Sequence, residues 1–274
     1  MSAYKKAVVF GGSGLIGAKV VTRLKEAGLE VIAASRRTHV DTTTGQGLME
    51  ALQDADVVVD VSDVPTFDPE TLKTFFRASA EHIYAAELAA GVKHHVTLSI
   101  VGVDGVRGNP YFDAKLGQEE LARASGVPFT IARATQFFEF LPTIAAGFTK
   151  GETTGLPDAL FRPIAADDVA TALAAIALAP PRNSAVSIAG LESASFEHWF
   201  KRFFDLTQDP RQAETDQAAT YFGARLQPCS IVPAAPDYIG AMCLEHWVTS
   251  PSARSALSGD RYAHATSEIS KQIQ

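Results

Sequence analysis

Cysteine is nearly missing from this chain: Cys229 and Cys243 are the only two among 274 residues. They form no disulfide framework and show no metal-ligand spacing, which excludes a cross-linked scaffold and a zinc module. A surplus of positive charge is missing too. Lys and Arg number 24 against 31 Asp and Glu, for a net charge of −7, so there is no basic footprint for nucleic acid. No apolar run reaches bilayer length. Val169 to Pro181 is too short and follows two aspartates, so no membrane partner is expected. The opening Met-Ser-Ala-Tyr-Lys-Lys leads straight into an apolar run with no room for a signal peptide, and a cytoplasmic protein is the expectation. No internal repeat is visible. Apolar residues are plentiful, at 46% of the chain, enough for a sizeable core.

The most informative stretch is Ala7 to Gly17. An apolar run, Ala7 to Phe10, breaks into Gly11-Gly12-Ser13-Gly14-Leu15-Ile16-Gly17, and apolar residues then recur at helical spacing as far as Gly28. This reads as buried strand, tight turn and helix. Glycine permits positive φ and lets a phosphate approach the backbone, while the helix start offers free N–H groups and the positive end of its dipole. The expected ligand is a dinucleotide pyrophosphate; an ordinary glycine turn is the alternative.

A second strand, Glu30 to Ala34, ends at Ser35-Arg36-Arg37. In a dinucleotide fold this position meets the adenosine ribose, where an acidic residue would bind the free hydroxyls of NAD. None is present, and guanidinium groups suit a 2′-phosphate, so NADP(H) is expected over NAD(H). A solvated arginine pair is the alternative. A short third strand is expected around Val40, a helix over Leu48 to Leu52 and a fourth strand over Asp56 to Val61. Ser62 to Asp68 would then lie at a strand's carboxyl end, where ligands bind. Asp68-Pro69-Glu70 starts a helix running to Ala90, with Glu81, His82 and Glu87 on a polar face. His95 to Ile100 is the fifth strand. Adjacent His94 and His95 point to opposite faces, in surface or packing roles. Asn109-Pro110 caps a helix, Tyr111 to Ala124, and Phe129 to Arg133 is the sixth strand.

Alternating strands and helices imply an α/β fold, a Rossmann-type doubly wound, mostly parallel sheet of about seven strands. The seventh strand is expected over Ala185 to Ala189, after a helix from Val169 to Ala179 capped by Asp167 and Asp168. Thr149 to Phe161 reads as a mobile loop. The expected division is a Rossmann domain over 1–190, including 163–190. A small substrate lobe over 191–248 would draw in 136–162, and a polar, flexible extension would occupy 249–274.

The chemistry lies in Ser99, Tyr111 and Lys115. Four residues make one helical turn, so Tyr111 and Lys115 share a face and the lysine charge favours a phenolate. Tyr111 then serves as general acid to a carbonyl oxygen, Ser99 holds that oxygen, and Lys115 also reaches the nicotinamide ribose. A tyrosine packing at the helix start is the alternative. Phe137, Phe138, Phe140, Trp199 and Phe204 could line an apolar pocket or belong to the core.

The Gly11-x-x-Gly14-x-x-Gly17 loop, Ser99, Tyr111-x-x-x-Lys115 and Pro128 to Phe137 together resemble the short-chain dehydrogenase/reductase superfamily. They resemble its atypical, NmrA-like NAD(P)H-binding oxidoreductase branch most. Arg162 to Ala170 and Tyr221 to Ala224 share that look. The resemblance implies NADP(H) across the strand ends, with Gly11 to Gly17 at the pyrophosphate and Arg36 near the 2′-phosphate. Ser62 would lie by the adenosine or central ribose, and Ala134, Thr135, Gln136 and Phe137 along the nicotinamide. It also implies a homodimer through the helices Pro69 to Ala90 and Tyr111 to Ala124. The expected function is NADPH-dependent reduction of a small, mostly apolar carbonyl, enone or quinone. The alternatives are an NADP(H)-binding redox sensor without turnover and an epimerase or dehydratase that regenerates its cofactor.

Overall fold

The structure, a computed structural model, describes residues 4–258. The chain begins with β1 (Lys6–Phe10), α1 (Leu15–Glu26), β2 (Glu30–Ala34), α2 (Leu48–Ala51) and β3 (Val57–Asp60). It continues through α3 (Pro69–Ala90), β4 (His94–Ile100), α4 (Pro110–Ala124) and β5 (Phe129–Ala134). Local chemistry sets these ends. The Asp68 carboxylate accepts from Thr71 N at 2.8 Å ahead of Pro69, and Asn109 Oδ1 accepts from Tyr111 N at 3.0 Å ahead of Pro110. Gly91, at φ +72°, closes α3.

The second half holds α5 (Leu141–Phe148), β6 (Thr149–Lys150), β7 (Thr153–Leu156), β8 (Leu160–Phe161), α6 (Ala166–Leu178) and β9 (Ser184–Ala189). Then come β10 (Ala194–Ser195), α7 (Phe196–Thr207), β11 (Gln212–Thr215), β12 (Tyr238–Ile239), α8 (Leu244–Val248) and α9 (Pro251–Ser258). Seven parallel strands form the main sheet in the order β12-β9-β5-β4-β3-β1-β2. Helices α1 and α6 pack on one face, and α2, α3 and α4 on the other. This is the Rossmann-type architecture expected, built from a different seventh strand. Val40 is not in a strand: His39 at φ +60° and Gly45 and Gly47 at φ +78° and +73° bend the segment back, leaving only an Asp41–Gln46 bridge. β2 therefore ends the sheet, and β12 completes the count by pairing Tyr238 with Ile188.

Several expectations change. Thr149 to Phe161 is not a loop. β7 pairs with β6 and β11, and Leu156 and Phe161 are fully buried in an aromatic core with Trp199, Phe200 and Trp247. Asp167 and Asp168 do not cap their helix but sit in its first turn, with Ala165 at the cap. Asp167 accepts from Lys19 at 2.8 Å and Asp168 from Met242 N at 2.9 Å, so both tie α6 to other elements. Within the expected flexible extension, 250–258 carries α9, whose Ala253 is buried and whose Ser252 donates to Asp167 at 3.2 Å; 259–274 lies outside the described residues. Among the described residues no helix is long and apolar enough to cross a membrane.

His94 and His95 do face opposite sides of β4, and both are buried. Glu87 is no polar-face residue: it is fully buried and accepts from His95 Nδ1 at 2.7 Å, while Tyr84 bonds the other ring nitrogen at 3.2 Å. His94 lies 2.9 Å from Thr130 Oγ1, and burial, helped by His95, pushes its pKa down to about 4. A depressed folded pKa means that the unfolded chain takes up the proton first, so His94 loses stability for the fold as pH falls from about 6.5 toward 4. Urea unfolding at pH 7 and pH 4.5 should show the native chain losing about 2–3 kcal/mol more than a His94→Gln variant.

Candidate active site

One cleft of about 580 Å³ runs along the carboxyl ends of the strands, spanning the β1–β3 boundary where the strand order reverses. Its floor at one end is the glycine turn. Gly11 has φ +75°, and a Cβ there would sit 2.7 Å from the Val61 carbonyl. Gly11, Ser13, Gly14, Leu15 and Ile16 line the cleft, with the first N–H groups of α1 behind them. Gly12 and Gly17 do not line it; they lie against backbone, Gly17 so close to Gly11 O that a Cβ would fall 2.1 Å away.

Beyond β2, Ser35, Arg36 and Arg37 line the same end. The Ser35 hydroxyl is buried with no hydrogen-bond partner among the described residues. Arg36 and Arg37 are exposed on a single 3₁₀ turn ending at Thr38. The nearby Asp41 carboxyl is held below its usual range, first by the Thr43 hydroxyl at 2.6 Å and in smaller part by the Arg36 charge.

The middle of the cleft is a polar chain that the sequence did not reveal. Asp60, buried at the end of β3, accepts from Ser62 N at 2.9 Å, Ser62 Oγ at 2.6 Å and Gln118 Nε2 at 2.8 Å. Gln118 Oε1 in turn accepts from Lys115 Nζ. Lys115 is buried, and that burial pushes its pKa down against the pull of Asp60, Asp63 and Glu119. Its Nζ also stands 4.7 Å from the centroid of the Phe76 ring, which meets Tyr111 edge-on at 5.7 Å. Tyr111 Oη donates to Asp63 Oδ1 at 2.9 Å. Ser62 and Lys115 were expected at the cofactor from the sequence, but Asp60 and Gln118, which link them, were not.

Ser99 is in the cleft wall, but its hydroxyl donates to Glu119 Oε1 at 2.6 Å. The same carboxylate accepts from Arg133 Nε at 2.9 Å and Nη2 at 2.7 Å, and from Arg123 at 3.1 Å. Past β5, Ala134, Thr135, Gln136 and Phe137 line the wall. The Thr135 hydroxyl and both polar atoms of the Gln136 amide are buried without a partner among the described residues. The far end is aromatic. Phe137 and Phe140 line it, as one expected reading had them, and stack at 5.5 Å, whereas Phe138, Trp199 and Phe204 belong to the aromatic core. Phe67, Phe75, Tyr221 and Phe222 join them; Phe67 lies in the Ser62 to Asp68 segment expected at a strand end, and Tyr221 and Phe222 lie in a stretch that carried the family resemblance, but none of the four was assigned a site role from the sequence.

An open parallel sheet with a glycine turn at its reversal point defines a Rossmann-type dinucleotide-binding protein. The cradle that side chains would fill, and unpartnered polar groups at Ser35, Thr135 and Gln136, suit an extended polar cofactor. Comparison with known proteins agrees. The NAD(P)H-binding family profile matches residues 11–180. The (4-alkanoyl-5-oxo-2,5-dihydrofuran-3-yl)methyl phosphate reductase of Streptomyces griseus subsp. griseus is 30% identical over 206 residues, 68% of each chain. The photosystem II assembly factor Ycf39 of Trieres chinensis is 26% identical over 148 residues, 49% of this chain and 46% of that one. Among solved structures, MoeE5 in complex with UDP-glucose and NAD superposes with a TM-score of 0.67 at 18% identity, over 92% of this chain and 99% of that chain. At such identity the likeness is one of fold. The chain belongs to the NAD(P)H-binding family of oxidoreductases, in the atypical, NmrA-like branch of the short-chain dehydrogenase/reductases.

Proposed function

We propose that this protein is an NADPH-dependent reductase of small, uncharged carbonyl, enone or quinone compounds. The observation that carries the reading is the distribution of charge along one cleft. Among the described residues lining it, the cationic side chains are Arg36, Arg37 and Lys115, and the acceptor end beyond Tyr111 is apolar and aromatic. The arginines suit a 2′-phosphate at the adenosine end. The acceptor end offers no cation to a phosphorylated substrate of the kind named in the Streptomyces relative.

Gly11 to Ile16 would hold the pyrophosphate, Ser62 the central ribose, and Lys115 the nicotinamide ribose. Thr135, Gln136 and Phe137 would lie along the nicotinamide, which when bound supplies hydride to the substrate's electrophilic carbon. Tyr111 Oη–H turns from Asp63 to the substrate oxygen and gives up its proton, and the Lys115 charge supports the phenolate that remains. Ser99, bonded to Glu119, braces the wall between β4 and α4 rather than the substrate oxygen.

The test follows nicotinamide absorbance across a panel of quinones, enones, ketones and aldehydes, with NADH as control. The wild type should prefer NADPH, and an Arg36→Ala, Arg37→Ala pair should lose at least tenfold in NADPH affinity while keeping its NADH affinity. Tyr111→Phe should lose roughly a hundredfold in turnover of simple carbonyls, the usual worth of a positioned acid. Wild-type turnover by Tyr111→Phe would remove its role as proton donor. NADPH binding without oxidation by any acceptor would replace the reductase reading with a redox sensor.

A further inference from the structure

Phe222 holds a backbone conformation that a bulky side chain rarely takes. Its φ is +48°, and Gly223 follows at +92°. The two form the centre of a tight turn closed by Tyr221 N to Ala224 O at 2.7 Å and Ala224 N to Tyr221 O at 3.2 Å. Turns with two such residues ordinarily carry Asn, Asp or Gly at the first position. The turn is pinned where it stands. A Cβ on Gly223 would fall 2.9 Å from Gly108 O, and Asn109, the cap of α4, donates from Nδ2 to Tyr221 O at 3.3 Å. Strain held in place by its surroundings points to a use for the side chain it presents.

That side chain faces the cleft. The Phe222 ring lies parallel to the Phe67 ring, at 6° and 5.5 Å between centroids. Phe67 comes from the irregular 61–68 segment between β3 and α3, and Phe222 from the small lobe, so two separate parts of the chain meet ring to ring. Both rings line the same cleft as Tyr111. Behind Phe222, the Phe148 ring supports it at 6.1 Å.

We propose that Phe67 and Phe222 form an aromatic clamp for a planar conjugated acceptor, such as a naphthoquinone or an aryl enone. The inference rests on the reductase reading and narrows its substrate class. A flat ring entering between the two replaces one ring contact with two. Holding it requires about 7 Å between the outer rings, twice the roughly 3.5 Å carbon–carbon contact distance. The pinned turn fixes Phe222, so the opening falls to the 61–68 segment. A saturated aldehyde gains nothing from the clamp, because it has no π-face to set against either ring.

The experiment compares kcat/KM for 1,4-naphthoquinone and for hexanal in the wild type, Phe222→Leu and Phe67→Leu, the last two changing opposite walls in case one fails to fold. NADPH affinity and binding of the redox-silent planar probe 2-naphthol are measured on the same proteins. Each leucine variant should lose at least tenfold for naphthoquinone, chiefly through KM, and at least fivefold for 2-naphthol. Hexanal kcat/KM should fall several-fold less than naphthoquinone kcat/KM, with NADPH affinity unchanged. Equal losses on both acceptors, or unchanged 2-naphthol binding in both variants, would overturn the clamp. If the wild type reduces neither acceptor, the reductase reading fails, and the 2-naphthol titration still decides whether the clamp binds planar rings.

Discussion

Gly17→Ala should weaken NADPH binding by about two orders of magnitude, the scale expected when aligned groups are displaced by about 1 Å. The added Cβ would stand 2.1 Å from Gly11 O, 2.7 Å from Gly11 C and 2.7 Å from Gly12 Cα. All three are backbone atoms of the turn that α1 follows, so no side-chain rotation relieves the clash. Either α1 slides away from β1 or the turn opens, and both displace the N–H groups proposed to hold the pyrophosphate. Overpacking of this kind also costs about 1–3 kcal/mol in stability. Gly117 is the control, since it lies inside α4 with nothing within 4 Å of an added Cβ. Gly117→Ala should leave NADPH affinity alone and stabilise the protein by about 1 kcal/mol through helix propensity. Nucleotide titration and thermal melts read both effects. NADPH affinity in Gly17→Ala equal to the wild type would refute the cradle.

Glu119→Ala should lower stability by about 3–5 kcal/mol, the range for breaking a buried ion pair from one side. Glu119 is 1% exposed, and it accepts from Arg133, Arg123 and Ser99 at once. Removing it leaves the Ser99 hydroxyl buried and Arg133 with Asp104, at 2.6 Å on the exposed side. The Arg133 guanidinium, largely desolvated in the wall, then keeps its burial cost with Asp104 as its remaining carboxylate partner. Glu119→Gln keeps the shape and an acceptor for Ser99, so its loss in urea unfolding should be clearly smaller. Equal stability of Glu119→Ala and wild type would show that the arginine finds water instead. The network also explains why Ser99 was legible as a cleft residue but not as a brace. Its partner sits twenty residues on, in another element, and only folding brings them together.

Where sequence chemistry is local, it showed the structure well. The glycine turn, the Asp68-Pro69 and Asn109-Pro110 helix starts and the lysine one turn after Tyr111 are all short-range patterns with one physical meaning. The reading broke down where partners are distant or elements are very short. Two-residue strands such as β6 and β8 carry no periodicity, so Thr149 to Phe161 showed only its turn residues. Phe137 and Phe138 are neighbours of the same type, yet one lines the cleft and the other is 1% exposed in the core. Nothing in their identities separates them. Asp60, Gln118 and Lys115 form a chain only because β3 and α4 converge, and Phe222 matters through a backbone angle that no side-chain pattern announces.

Among the described residues, β2 is the edge of the main sheet, with no strand outside it. Residues 35–43, which carry the arginine pair, hang from the sheet's outermost strand and bear no ladder of their own. Replacing them is therefore a graft onto the rim of the molecule rather than surgery on its interior. On the proposed reading of the arginine pair, dinucleotide choice can be rewritten there, by selection or by design, while the sheet and Tyr111 keep their footing.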